Sequence, residues 1–211
     1  MSKLWYVHQY DSHDEYVKAQ VKANIRKEKF VWVKRHAIQK ISKKIPIASS
    51  ILCHGTRNGA ELRLFEEFYP QAYVIGTEIS ETAHKYKGTV QHDFHEPRNE
   101  WYNKFDIVYS NSFDHSYDPF KVLTTWTKQL KTTGRLIIEY QKQHKDVPSD
   151  PLVIEQRNFE FLVKEKFGMK IQYKGKGSRN GVLYIFSKGP KWDYPPKERD
   201  LHVREYLDSK S

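Results

Sequence analysis

The sequence predicts an α/β fold in which buried parallel strands alternate with helices. Residues 51–53 form an apolar run with no polar break, which is typical of a strand buried on both faces. Residues 73–76 predict a second strand of the same kind. Between the two, apolar residues recur at helical spacing from residue 60 to residue 68. This order of strand, helix and strand is the repeating unit of a parallel sheet.

A glycine-containing turn joins the first predicted strand to the helix. Backbone that passes close to a ligand, or that adopts a positive φ, favours glycine, which the turn supplies at Gly55 and Gly59. Glu78 lies just past the carboxyl end of the second strand, about 20 residues after the glycine turn. An acid at this position accepts hydrogen bonds from both hydroxyls of a ribose. The pattern therefore predicts a site for a nucleoside-containing cofactor.

The spacing of the two glycines distinguishes between cofactors. Dinucleotide-binding folds place three glycines as G-x-G-x-x-G, whereas here Arg57 stands between Gly55 and Gly59. The turn resembles the first motif of class I S-adenosylmethionine-dependent methyltransferases, a G-x-G-x-G turn after the first strand. It departs from that motif at Arg57, which replaces the middle glycine, and at Cys53, which stands where the family carries an acid. Glu61, one helical turn further on, is a candidate replacement for that acid.

Four further segments resemble later motifs of the same family, in the same order. Residues 90–94 resemble the third-strand motif, residues 105–112 the fourth strand, residues 113–119 the stretch that leads into the next helix, and residues 130–139 the fifth strand with its turn. The resemblance implies that the cofactor contacts the glycine turn and the ends of the second, third and fourth strands. The residues implied are His54, Gly55, Thr56, Arg57, Gly59, Glu78, Ile79, Asp93, Phe94, Ser110, Asn111 and Ser112.

The same resemblance implies the architecture and the chemistry. The expected fold is the Rossmann-like class I methyltransferase fold, a mostly parallel seven-stranded sheet with an antiparallel last strand and helices on both faces. The expected cofactor is S-adenosylmethionine, and the expected reaction is methyl transfer to an oxygen or nitrogen atom.

The predicted catalytic residues follow the fourth strand, at the cleft end of the sheet. An imidazole suits a general base near neutral pH, so His115 and its neighbour Asp114 are the candidates. An alternative is that His115 packs against the cofactor and orients it. No metal site is predicted. His92 and His95 would point to opposite faces of an extended strand, and Asp93 between them is assigned to the adenine.

The sequence after the fourth strand also narrows the acceptor. Methyltransferases of exocyclic amines of nucleic-acid bases usually carry an Asn/Asp-Pro-Pro-Tyr/Phe cluster there, whereas residues 110–113 read Ser-Asn-Ser-Phe. The motifs resemble those of methyltransferases of small molecules and sugars, so the expected partner is a small-molecule or sugar-like substrate. RNA or another nucleic acid is a less favoured acceptor. A non-catalytic member of the fold, which only binds the cofactor, is the alternative from another class.

Composition limits the partners and the compartment. Lys and Arg outnumber Asp and Glu by 36 to 26, which gives a net charge of +10 and suits an acidic or phosphate-bearing substrate. The chain has one cysteine, so no internal disulfide forms, and a reducing compartment is expected. No apolar run reaches the roughly 18 residues of a membrane span, and residues 1–8 lack the apolar segment of a signal peptide. The expected location is the cytoplasm.

Three regions are predicted along the chain. Residues 1–46 hold two helices, over about 14–29 and 31–44, which form either a lid over the substrate or a structural brace. Residues 47–188 are the cofactor-binding core, which includes a polar loop at 141–156, a helix at 158–167 and a closing hairpin. Residues 189–211 form a polar tail.

Overall fold

The structure is a computed structural model that describes residues 4–142 and 145–189. The predicted polar tail therefore lies, beyond Gly189, outside the described residues. In the described part, the strands are β1 (Trp5–Val7), β2 (Ser50–His54), β3 (Tyr73–Glu78), β4 (Thr89–Gln91), β5 (Phe105–Ser110), β6 (Leu130–Tyr140), β7 (Leu152–Ile154), β8 (Met169–Lys176) and β9 (Val182–Lys188). The helices are α1 (His13–Lys27), α2 (Arg35–Lys44), α3 (Ala60–Phe68), α4 (Pro119–Gln129) and α5 (Gln156–Phe161), the last continued by a π-helical turn at Leu162–Lys166.

Seven of the described strands form one sheet in the order β4-β3-β2-β5-β6-β9-β8. Strands β4, β3, β2, β5 and β6 pair in parallel, and β9 runs antiparallel to both β6 and β8. This arrangement confirms the predicted sheet with its antiparallel last strand. The strand order reverses at β2. From β2 the chain first adds β3 and β4 on one side, and it then crosses to add β5 and β6 on the other side. A crevice opens at such a switch point, outside the carboxyl ends of the strands.

Helices cover both faces of the sheet and bury two separate apolar cores. On one face α4 and α5 pack with the large aromatic residues of the chain, including the fully buried Trp126 and Phe159. On the other face α2 and α3 pack against the other side of β2 and β5, where Cys53 is fully buried. Burial raises the pKa of that thiol well above its ordinary value, so Cys53 is core packing and not a nucleophile.

The two N-terminal helices differ in how they are attached. Helix α2 inserts Ala37, Ile38 and Ile41 into the apolar core with no exposed surface, so it braces the sheet. Helix α1 buries Gln20, which lies within hydrogen-bond distance of His115, and Tyr16, which packs against the rings of Tyr10, His95 and Tyr117. It adds no residue to either apolar core, so the two N-terminal helices are attached in different ways.

Two sequence predictions in these regions were wrong. The second helix begins at Arg35 and not at residue 31, because residues 31–34 run extended and the Lys34 backbone N–H donates to Ser178 Oγ at 2.8 Å. The loop at 141–156 contains β7, which pairs antiparallel with β1. Three-residue strands carry too little pattern to be recognised before their partner is known.

Candidate functional site

Two cavities meet at the carboxyl ends of the parallel strands. A narrow cleft lies under α1, between Glu78, Asp93 and Phe94, and Ile79 also lines it. A larger cavity of about 270 Å³ lies over β5 and β6 and is lined by Thr56, Asn111, Asp114 and others. The two cavities share the residues Gly55, Arg57, Ser112 and His115. One elongated ligand can therefore extend from the cleft into the large cavity.

The glycine turn holds its shape through positive φ angles and one close contact. Gly55 and Gly59 have φ of 71° and 66°, and Arg57 between them has φ of 47°. A Cβ on Gly55 would lie 2.7 Å from Ser112 Cβ, so the end of β5, rather than ligand space, excludes a side chain there. The Ser112 hydroxyl donates to the Gly55 carbonyl oxygen at 3.2 Å, which ties the turn to β5.

Glu78 is the last residue of β3 and lies at the centre of the narrow cleft. Its two carboxylate oxygens each accept one backbone hydrogen bond, from Arg57 N at 2.9 Å and from Ser80 N at 3.1 Å. A carboxylate offers about four lone-pair positions, so each oxygen retains one for a ligand hydroxyl. The geometry matches an acid that binds two neighbouring hydroxyls.

Asp93 forms the far end of the cleft and is held between two histidines. Its Oδ1 lies 2.7 Å from His95 Nδ1, and its Oδ2 lies 3.0 Å from His13 Nε2 on α1. Although burial alone would raise it, the pKa of Asp93 is held below its ordinary value by the hydrogen bonds from His95. His95 is fully buried, and its Nε2 accepts from Tyr117 N, so Nδ1 carries the proton. Asp93 is therefore a fixed anion.

Three of the residues implied by the family resemblance do not line either cavity. His54 is buried beneath the turn, where Nδ1 faces Thr77 Oγ1 at 2.9 Å and Nε2 faces Gln129 Oε1 at 2.8 Å. Burial lowers the pKa of His54 to about 3, so it is a neutral structural histidine. Ser110 donates to the His54 carbonyl oxygen, and Gly59 caps α3. These three positions support the site from below without lining either cavity.

Glu61 lies on the first turn of α3 and faces the large cavity. It is 5% exposed, and its Oε1 accepts from Asn111 Nδ2 at 3.0 Å. Its Oε2 is buried and has no hydrogen-bond partner among the described residues. Burial raises the pKa of Glu61 to about 7, against an ordinary value of 4.5. A buried acid with an orphaned oxygen is poised to receive a cationic or hydrogen-bond-donating ligand group.

Of the two predicted catalytic residues, only His115 lies where the cavities join. Asp114 and His115 end the short 3₁₀ turn after β5 and both line the large cavity. His115 Nδ1 lies 2.9 Å from Gln20 Oε1 on α1, and His115 Nε2 lies 3.4 Å from Asp150 Oδ1. Both histidine nitrogens are therefore directed at protein groups rather than into open space.

The outer wall of the large cavity comes from two segments far apart in sequence. Residues 28–34 bring Trp32, which stacks under the guanidinium of Arg179 at 4.0 Å from the ring centre. Arg179 belongs to the turn before β9, and this turn is anchored by buried Glu139. Its carboxylate accepts from Ser178 Oγ at 3.1 Å and from Tyr109 Oη at 2.6 Å. Only the folded chain brings these segments together.

Several residues of the site gave no signal in the sequence. They are Tyr16, Gln20, Trp32, Asp150 and Arg179, which lie on α1, on loops and on the final hairpin. The two histidines at which the sequence predicts no metal site face different partners. His92 Nε2 faces the Glu96 carbonyl oxygen at 2.9 Å, while His95 turns inward to Asp93.

Comparison with known proteins by sequence finds no matching family model and no matching curated protein. Comparison of the fold finds many solved structures. A Burkholderia thailandensis 1,6-didemethyltoxoflavin-N1-methyltransferase with bound S-adenosylhomocysteine superposes with a TM-score of 0.67 at 12% identity, over 86% of this chain and 92% of that one. A Haloferax volcanii putative methyltransferase in complex with the Trm112 activator gives 0.64 at 12% identity, over 85% and 100%. An Aquifex aeolicus SAM-dependent methyltransferase gives 0.55 at 15% identity, over 84% and 98%. These matches establish the fold.

Proposed function

We propose that this chain, which has the class I methyltransferase fold, is an S-adenosylmethionine-dependent methyltransferase that acts on a small polar acceptor. The observation that carries the proposal is the convergence of Glu78, Asp93 and Glu61 along one continuous pair of cavities at the switch point of the sheet. Each of these acids lines one of the two cavities, which lie where the family binds its cofactor. When bound, the cofactor supplies a methyl group already activated by the sulfonium centre.

The narrow cleft suits the adenosine end of the cofactor. Glu78 would accept from the two ribose hydroxyls, while Ile79 and Phe94 would contact the adenine from its two sides. Asp93 lies at the far end and would accept from the exocyclic amine. All four positions are those that the family resemblance implies.

The junction with the large cavity suits the amino-acid end of the cofactor. Glu61 Oε2, which lacks a partner among the described residues, would receive the ammonium group. Arg57 lines both cavities and would pair with the carboxylate. In this arrangement Glu61 takes over the role of the acid that the family carries at the position of Cys53.

Helix α1 acts as the lid over this site. It reaches across the cleft through Gln20 and through His13, which faces Asp93. The cleft beneath it measures only about 40 Å³, too small for a nucleoside. Cofactor entry therefore requires α1 to move outward. This helix contributes no residue to either apolar core, so it moves more easily than α2, which is packed into one of them.

The large cavity suits the acceptor. Its size fits a small molecule, and its wall combines aromatic rings with the cationic side chains of Lys27, Lys142 and Arg179. This lining favours a polar acceptor with anionic or hydroxyl groups over an apolar one. Asp114 and His115 stay the predicted catalytic residues, since both line the large cavity and His115 also lies where the cavities join.

The test is transfer of labelled methyl from S-adenosylmethionine to pools of metabolites, sugars and RNA, followed by mass analysis. We expect label in the small-molecule or sugar pool, and a loss of at least tenfold in S-adenosylhomocysteine affinity in Glu78→Gln. Label in RNA alone would reject the proposed acceptor class. Cofactor binding without transfer to any pool would favour the non-catalytic alternative, and absence of binding would reject the proposal.

A further inference from the structure

A second group of side chains lies in the wall of the large cavity. Asp114, His115 and Asp150 each offer one potential ligand atom, and these atoms all lie within 4.8 Å of one another. In an octahedral or tetrahedral site with bonds of about 2.1 Å, ligand atoms are separated by roughly 3 to 4.2 Å. The 3.4 Å between His115 Nε2 and Asp150 Oδ1 lies in that range, and the 4.8 Å limit for the whole set is slightly wider, so a small approach of the side chains would complete the geometry.

The imidazole of His115 is oriented as a metal ligand would be. Its Nδ1 faces Gln20 Oε1 at 2.9 Å, and the Gln20 amide nitrogen donates to the carbonyl oxygens of Pro148 and Ser149. These two bonds fix the amide so that its oxygen points at the ring, and Nδ1 must then carry the proton. Metal-binding histidines usually donate their other ring N–H in this way.

The opposite ring atom is left facing an acceptor. The Nε2 atom of His115 lies 3.4 Å from Asp150 Oδ1. Asp150 is itself held, because its Oδ2 accepts from Ser149 Oγ at 2.6 Å. Two acceptor atoms that face each other repel unless a cation or a second proton lies between them. A divalent ion satisfies both atoms at once.

We infer that Asp114, His115 and Asp150 form a site for a divalent transition-metal ion. One imidazole with two carboxylates suits ions such as Mn²⁺, Co²⁺ and Zn²⁺, and the carboxyl of Glu61 adds negative charge in the same cavity. Lys27 and Arg57 also line the cavity and oppose a cation, so binding is weaker than at a structural metal site.

The consequence for the acceptor rests on the proposed function. Three protein ligands leave coordination positions open toward the large cavity, which oxygen atoms of a substrate can fill. An acceptor with two neighbouring oxygens, such as a diol or a hydroxy acid, would chelate the ion and lie beside the cofactor. Since a metal-bound Nε2 cannot accept a proton, the ion would replace His115 as the activating group.

The test is titration of the full chain with Co²⁺, without cofactor or acceptor, followed by visible absorption and calorimetry. We expect one saturable site that His115→Gln, Asp114→Asn and Asp150→Asn each weaken at least tenfold. Gln20→Ala, which removes only the group that orients the ring, is expected to weaken binding by about 10- to 100-fold. His84→Gln, which changes an exposed histidine of the 3₁₀ turn after β3, is the matched control and should bind Co²⁺ as the original chain does.

Two results would overturn the inference. One is the absence of saturable Co²⁺ binding, and the other is binding that Asp150→Asn and Asp114→Asn leave unchanged while both variants keep the original melting temperature. In either case His115 and Asp150 form an imidazolium–carboxylate ion pair instead. Because the titration needs no cofactor, a chain that binds Co²⁺ but not S-adenosylhomocysteine keeps the metal site and rejects only the methyltransferase proposal.

Discussion

Glu61→Gln is the substitution that most directly tests how the site recognises its cofactor. Burial raises the pKa of Glu61 to about 7, about 2.5 units above its ordinary value of 4.5. The native state therefore binds a proton that the unfolded state has released between pH 4.5 and 7. The free energy of unfolding of the chain without ligand therefore falls as pH rises through this window, by about 3 kcal/mol in all. Glu61→Gln should remove that loss.

Cofactor binding should show the opposite pH dependence. The ammonium group of S-adenosylhomocysteine prefers the ionised carboxylate, which is about one tenth populated at pH 6 and about nine tenths at pH 8. Affinity for the original chain should therefore rise roughly tenfold between these pH values. For Glu61→Gln the affinity should be nearly independent of pH, and roughly 10- to 100-fold weaker at pH 8, because a charge-assisted hydrogen bond is lost.

The assay is isothermal calorimetry with two ligands and one matched variant. The ligand 5′-methylthioadenosine lacks the amino-acid end, so its affinity should change little with pH and little on Glu61→Gln. Glu66→Gln, an exposed glutamate one turn later on α3, is the control and should bind as the original chain does. An affinity for S-adenosylhomocysteine that stays flat from pH 6 to 8, or an equal pH slope for 5′-methylthioadenosine, would refute the assignment of Glu61 to the ammonium group.

Further predictions concern the lid, the brace and the buried histidine. Saturating S-adenosylhomocysteine should change the hydrogen-exchange rates of backbone amides in α1 by at least tenfold and leave those in α2 unchanged. Equal rates in α1 with and without the ligand would contradict a lid. A chain that starts at Phe30 should fold, but one that starts at Lys43 should not. The second loses the buried isoleucines of α2, each of which contributes about 1.5–3 kcal/mol to stability. Circular dichroism and unfolding in urea measure whether each shortened chain folds. The pKa of His54 is lowered to about 3 by burial, so its protonation in the unfolded state removes stability as pH falls below 6.5. Between pH 7 and pH 4, His54→Gln should lose about 3 kcal/mol less than the original chain, and equal losses in urea unfolding would argue against this account.

The sequence by itself determined the sheet and the cofactor side of the site. The apolar runs at residues 51–53 and 73–76 became β2 and β3, because a parallel strand buried on both faces favours apolar residues along its length. The strand β5 was expected only from the family resemblance. Gly55 and Glu78 were found because a turn with positive φ and an acid at a strand end leave local signatures. Helix α3 was predicted at its observed bounds, 60–68, since its apolar spacing is strictly helical.

Tertiary structure alone decided how α1 lies on the crevice, which residues wall the large cavity and which side chains form the candidate metal cluster. Asp150 meets His115 only because β7 pairs with β1 and because Gln20 holds the loop before β7. Arg179 reaches Trp32 only because β9 inserts between β6 and β8 and carries the turn over the cavity. The contacts of Gln20 with Pro148 and of Trp32 with Arg179 join residues more than 100 positions apart, and no periodic pattern in the sequence marks them. Local sequence therefore specifies where the strands end, and long-range packing specifies what faces the ligand there.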